Sequence, residues 1–117
     1  MILESFRLEG KCALVTGAAQ GLGAALAIGF AEAGADVALL DRRSCDETAA
    51  AIRSLKRRAF ALVSDLADMT PERAIEIVRL CSANLGGLHI LVNNAGIIRR
   101  SAALDYSEAD WDSVSLH

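Results

Sequence analysis

Aromatic residues are scarce in this 117-residue sequence, 4% against 53% hydrophobic residues in all. A core with so few rings must be built from Ala, Leu, Val and Ile, which suits closely packed layers of helix and sheet. Neither sign of charge dominates: 23% of residues are charged and the net charge is −3. That balance supplies no electrostatic pull towards nucleic acid or an anionic membrane, and neither is expected as a partner. Cysteine occurs three times, at Cys12, Cys45 and Cys81, an odd number without metal-ligand spacing. Cys12 and Cys81 lie in apolar runs, so buried free thiols are expected and a metal site is not. No apolar run approaches the ~20 residues of a membrane span. The start, Met1-Ile2-Leu3-Glu4-Ser5-Phe6-Arg7, lacks the basic head and apolar stretch of a signal peptide. The default expectation is a soluble, cytoplasmic protein. With no linker, repeat or low-complexity segment, residues 1–117 read as one domain.

What is present is an alternation of strand and helix signals. Cys12-Ala13-Leu14-Val15-Thr16 is a short continuous apolar run ending at glycine, the pattern of a strand buried on both faces of a parallel sheet. From Gly21 to Ala33 the apolar positions Leu22, Leu26, Phe30 and Ala33 recur at helical spacing, and Gly34 supplies a left-handed stop. Asp36-Val37-Ala38-Leu39-Leu40 predicts the second strand, ending at Asp41. Glu47 to Lys56 predicts a helix with Thr48, Ala51, Ile52 and Leu55 on its inner face, and Ala59-Phe60-Ala61-Leu62-Val63 a third strand. Thr70-Pro71-Glu72 opens another helix with a capping hydroxyl, a proline at the first helical position and an acid in the first turn. Its predicted inner stripe is Ala74, Val78, Cys81 and Leu85, and Gly86-Gly87 end it. His89-Ile90-Leu91-Val92 predicts strand four. Ser107 and Asp110 suit a capping box for a last helix through Trp111 and Val114.

Strands separated by helices imply right-handed crossovers and a Rossmann-type, doubly wound α/β sheet in the order 3-2-1-4. Strand four is interior in such a sheet, yet nothing in the chain remains to pair with its far side. An apolar parallel strand left as an edge invites aggregation. The domain is therefore expected to be incomplete, broken off after strand four and part of the next helix.

Thr16-Gly17-Ala18-Ala19-Gln20-Gly21-Leu22-Gly23 joins the first strand to the first helix. Glycines there let two phosphates approach the main chain and let the turn reverse sharply. The helix beginning at Gly21 then directs its free N–H groups and positive dipole end towards them. No lysine follows the glycines, so the nucleotide-triphosphate loop is absent.

Thr-Gly-x-x-x-Gly-x-Gly at residues 16–23, with Asn93-Asn94-Ala95-Gly96 after strand four, resembles the short-chain dehydrogenase/reductase family from about Leu8 to Trp111. The resemblance implies a nicotinamide cofactor held by Gly17, Gln20, Gly21, Leu22 and Gly23. Asp65 and Leu66 match the positions that contact adenine. Asn93 matches an asparagine tying the central strands, and Ala95 and Gly96 the segment passing the cofactor ribose. Asp41 ends strand two beside the expected adenosine ribose. A carboxylate there accepts bonds from ribose hydroxyls and repels a 2′-phosphate, so NAD is expected over NADP. Arg42 and Arg43 are the features that favour NADP; a solvated surface role is the alternative for both. Asp41 as a cap or turn acid and Asp65 as a turn former are the plainer alternatives.

The family's catalytic Asn, Ser, Tyr and Lys would all follow strand four. Tyr106 is the only tyrosine and has Asp110, not lysine, four positions on, while Lys11 and Lys56 lie before strand one and late in helix two. No catalytic residue is assigned, and His89 is expected to be structural or superficial. Ile97-Ile98-Arg99-Arg100, Leu104-Asp105-Tyr106-Ser107-Glu108 and Trp111-Asp112 resemble the sugar-acid branch of the family, the 2-dehydro-3-deoxy-gluconate 5-dehydrogenase and gluconate dehydrogenase type. Arg99 and Arg100 suit a substrate carboxylate or, equally, a subunit contact. The expectation is the cofactor-binding half of an oxidoreductase moving hydride between NAD and a secondary alcohol or ketone, homo-oligomeric as the family implies. The alternatives are an inactive nucleotide-binding module that partners a full-length relative, and an unrelated dinucleotide or S-adenosylmethionine domain.

Overall fold

A computed structural model describes residues 7–94. In chain order its elements are β1 (Cys12–Thr16), α1 (Gly21–Glu32), β2 (Asp36–Asp41), α2 (Asp46–Ser54), β3 (Ala59–Val63), a single 3-10 turn (Leu66–Asp68), α3 (Pro71–Leu85) and β4 (Ile90–Asn93). The four strands form one parallel sheet in the order β3-β2-β1-β4, as the alternating pattern predicts. The predicted last helix, with Ser107 and Asp110, lies outside the described residues.

The continuous apolar runs are explained by two cores, one on each face. Side chains alternate across a strand. Ala13, Val15, Val37 and Leu39 point to the face covered by α1 and α2, where Ala27, Phe30, Ala49 and Ile52 meet them. Cys12, Leu14, Ala38 and Leu40 point to the other face, where Ile77, Cys81 and Leu85 of α3 cover them. Every second residue therefore has an apolar destination, and no polar position is left along β1 until Thr16.

The buried faces of the three helices match the sequence-based expectation in part. In α1 the buried residues are Gly23, Ala27, Gly29, Phe30 and Ala31, while Leu22 is 58% exposed. Leu22 sits in the first turn, beyond the end of the sheet, where no core remains to receive it. In α2 the inner face is Thr48, Ala49 and Ile52; Ala51 is only half-buried and Leu55, past the helix end, is exposed. In α3 the stripe runs through Ile77, Cys81 and Leu85, with Ala74 half-buried and Val78 exposed. Phe30 in α1, Ala33 at its C-cap, Thr48 and Ile52 in α2, and Cys81 and Leu85 in α3 are buried at the expected positions, and packing against the sheet decided the others.

The predicted ends of α3 are realised. Thr70 Oγ1 accepts from the Arg73 N–H at 3.1 Å, Pro71 stands in the first turn, and Gly86 closes the helix at φ +85°, its N–H donating to Ser82 O at 2.8 Å. β4 begins one residue later than expected. His89 precedes it and accepts the Cys12 N–H on Nδ1 at 3.0 Å, while its own N–H donates to Cys12 O at 2.9 Å. His89 is thus a structural residue that extends the β1–β4 ladder by one side-chain bond.

Candidate functional site

The C-terminal ends of β1, β2 and β4 meet at the turn of residues 17–20, which leads into α1. Gly17 has φ +65°, in the left-handed region that favours glycine. Gly23 is required for a different reason: a Cβ there would lie 1.9 Å from Gly17 O and 2.8 Å from Asn94 Nδ2. The first turn of α1 is thereby pressed against the turn that precedes it. At Gly21, φ +60°, the space beside the backbone is open for 4 Å.

Two successive peptide units of this turn are each held at both ends. Gly17 O accepts from Asn94 Nδ2 at 3.3 Å, and the next N–H, of Ala18, donates to Leu40 O at 3.3 Å. Ala18 O accepts from the Thr48 hydroxyl at 2.8 Å, and the next N–H, of Ala19, donates to Asp41 Oδ2 at 3.0 Å. The clamps come from β2, α2 and the end of β4, so the turn's shape is set by tertiary structure rather than by its glycines alone. By contrast, the α1 N-terminus has no cap. Gln20 occupies the N-cap position without a side-chain bond, and no acid stands in the first turn. The first N–H groups of a helix have no partner within it. Here they carry the positive end of the dipole with no side chain of the helix start to neutralise it, an arrangement suited to a diphosphate.

Asp41, at the end of β2, holds Ala19 N–H on Oδ2 and Arg43 N–H on Oδ1 at 3.0 Å. It is therefore a turn acid at the C-terminal end of β2. An ionised carboxylate offers about four lone-pair sites, so two main-chain bonds leave acceptor capacity for hydroxyls. Arg42 and Arg43 are exposed. Asp65 acts as a turn former: exposed, it caps the 3-10 turn by accepting from Ala67 N–H at 2.9 Å. Leu66 packs partly into the α3-side core. Asn93 ties two strands together, its Oδ1 accepting from the buried Thr16 hydroxyl at 2.9 Å in register with it across β1 and β4. Ala95, Gly96, Arg99, Arg100 and Tyr106 lie outside the described residues.

Sequence reasoning missed the roles of Thr48 and Asn94. Thr48 lies on the predicted inner face of its helix, but a buried hydroxyl needs a partner, and that requirement is the signal that was available. Asn94 is 3% exposed, and its Oδ1 has no partner among the described residues. No thiolate contributes near the turn: burial pushes the Cys45 thiol up to about 11, with the Asp41 and Asp46 carboxylates acting in the same direction. On the opposite face of the sheet, between α3 and β4, the described residues leave an apolar cavity of about 310 Å³ bordered by Leu14, Ile77, Val78 and Leu91.

Comparison with known proteins places this geometry. The chain is 43% identical over 114 residues to 2-dehydro-3-deoxy-D-gluconate 5-dehydrogenase of Dickeya dadantii, covering 97% of this chain and 44% of that enzyme. A short chain dehydrogenase from Burkholderia cenocepacia, solved in complex with NADP, matches at 44% identity and TM-score 0.69 over 74% of this chain and 36% of that one. Carveol dehydrogenase from Mycobacterium avium, in complex with NAD, matches at 28% identity and TM-score 0.65, over 74% of this chain and 35% of its own. The chain thus spans less than half the length of these relatives. A family model described as short chain dehydrogenase matches residues 11–115, and the chain belongs to that family.

Proposed function

We propose that this chain binds NAD at the turn of residues 17–23 and forms the cofactor-binding half of a reversible dehydrogenase. One observation carries the reading: a helix N-terminus without a cap, set behind a turn whose two preceding peptides are already pinned. Gly17, Gln20, Gly21, Leu22 and Gly23 would hold the diphosphate, Asp41 the adenosine ribose, and Asp65 and Leu66 the adenine. Asn93 would tie the central strands beneath the cofactor, and Ala95 and Gly96 would pass its ribose. The cofactor would supply hydride acceptance and donation. The chain's own contribution is to bind and orient it.

Asp41 supports NAD over NADP. A phosphate brought to about 4 Å from that carboxylate meets a repulsion of about 4 kcal/mol at an effective dielectric near 20. Residues 18–20, Ala-Ala-Gln, offer no cation to offset it. For the substrate we propose a secondary alcohol or ketone of the sugar-acid class, supported by the similarity to the Dickeya enzyme and by Arg99-Arg100 as a carboxylate site. Three unpaired buried thiols accord with a reducing, cytoplasmic setting. The complete protein is proposed to be a homo-oligomer.

The test is titration of the 117-residue chain with NAD by calorimetry, beside the variants Gly17→Val and Gly21→Val. Binding by the parent and its loss in both variants is expected. Equal affinity in all three would overturn the reading. A second reading, an inactive nucleotide-binding module that associates with a relative, is favoured by the apolar cavity beside β4. Sequence beyond codon 117 encoding Ser and then Tyr-x-x-x-Lys would decide for the dehydrogenase.

A further inference from the structure

We propose that Thr48 is a positioning residue of the cofactor turn: its hydroxyl sets the Ala18–Ala19 peptide and thereby aims the N–H groups of the α1 start at a dinucleotide's diphosphate. The inference rests on the cofactor reading above and adds to it a residue from outside the glycine motif. Thr48 lies on α2, is 4% exposed, and its hydroxyl oxygen stands 2.8 Å from Ala18 O and 3.5 Å from Ala19 O. A helical threonine commonly turns its hydroxyl back to a carbonyl of its own helix. Thr48 instead gives its one hydrogen to a turn thirty residues earlier in the chain.

The consequence follows from how few restraints a short turn has. The Ala18–Ala19 peptide is gripped at its N–H by Asp41 Oδ2 and at its carbonyl by Thr48 Oγ1. A bond at each end resists rotation of the plane about the Cα–Cα line more strongly than the Asp41 bond alone. Ala18 is fully buried, so its carbonyl has no ready access to water as a substitute donor. Tilting that plane moves residues 20–23, because Gln20 and Gly21 follow directly on the pinned unit. Thr48 also links the ribose end of the site to the phosphate end, since Asp41 and Thr48 hold opposite sides of one peptide.

The experiment compares the 117-residue chain with Thr48→Val, which keeps the branched shape, and Thr48→Ser, which keeps the donor and loses a buried methyl. Each is titrated with NAD, ADP and adenosine, followed by amide chemical shifts at a temperature where all are folded. Thr48→Val is expected to weaken NAD and ADP about tenfold, the scale of one buried hydrogen bond lost. Adenosine, without a diphosphate, should bind within about twofold of the parent, and Thr48→Ser should restore NAD to the same margin. Where valine disturbs the fold, Thr48→Ala removes the same donor without bulk. Parent-like NAD affinity in Thr48→Val, equal weakness in the serine variant, or a matching loss for adenosine each overturns the proposal. A parent chain that binds neither NAD nor ADP overturns the cofactor reading itself.

Discussion

At Gly23 the constraint on a single residue can be stated as a distance. A methyl group there would stand 1.9 Å from a carbonyl oxygen of the neighbouring turn, and the obstacle is backbone rather than a side chain that can swing away. Gly23→Ala is therefore expected to cost about 3 kcal/mol or more, at the upper end of overpacking effects, and to abolish NAD binding. Urea denaturation and calorimetry on the same sample check both parts. Asp41 is bound by two main-chain N–H groups, so replacing it changes both the turn and the charge beside the ribose position. Asp41→Asn keeps one acceptor and removes the charge. The proposed preference for NAD over NADP should fall by about 100- to 1000-fold, as expected when a repulsion of about three to four kcal/mol is lifted. An unchanged ratio in competitive titrations would show that Asp41 does not face the 2′ position.

Between elements, what matters is which of two adjacent apolar stripes a helix turns inward. α3 buries Ile77, Cys81 and Leu85 on the sheet and leaves Val78 44% exposed at the rim of the apolar cavity. Ile77→Ala should cost about 2–5 kcal/mol, by lost transfer energy and the void left behind. Val78→Ala should stay within about 1 kcal/mol. Parallel urea titrations give the comparison, and equal costs would mean that the helix phase is different. At its far end α3 is tied down by Arg58, whose guanidinium donates to Leu85 O at 2.7 Å and pairs with Asp36 at 3.0 Å. That contact joins the starts of β2 and β3 to the helix C-terminus, where a cation is favoured.

For the molecule as a whole, the buried thiols give a pH signature. Burial pushes Cys81 up to about 11 from an ordinary 9.0, and burial aided by Asp41 and Asp46 does the same to Cys45. Their folded-state values lie above the unfolded ones, so the folded state holds these protons more tightly. The associated stability is intact below about pH 9 and is lost as the pH rises towards 11. Holding one proton tenfold more tightly is worth about 1.4 kcal/mol, so the two thiols together should remove a few kcal/mol across that window. Chemical denaturation at pH 8, 9.5 and 11 measures the decline, and Cys45→Ala with Cys81→Ala should flatten it. The cavity between α3 and β4 adds a second molecular property. Among the described residues β4 pairs on one side only, with β1; the proposed association is checked by sedimentation velocity, where species larger than a monomer are expected.

Much of this architecture is written in local patterns. Four short apolar runs, glycines at 17, 21 and 23, and a Thr70-Pro71-Glu72 helix start are enough to dictate a parallel α/β sheet, its strand order and the position of the glycine turn. They suffice because buried parallel strands, positive φ and helix caps each impose requirements that neighbouring residues must meet. Helix phase was legible only in part: Thr48, Ile52, Cys81 and Leu85 are buried as expected, whereas Leu22, Leu55 and Val78 fit helical spacing equally well and are exposed. The clamps on the turn were not legible, because Thr48 and Asn94 meet Ala18 and Gly17 only after thirty and seventy-seven residues of chain have folded back. The amino-acid order by itself determined which segments become strands and where the glycine turn meets a helix start. Only tertiary packing decided which faces are buried and which hydrogen bonds hold the turn, because those depend on distances that no sequence window contains.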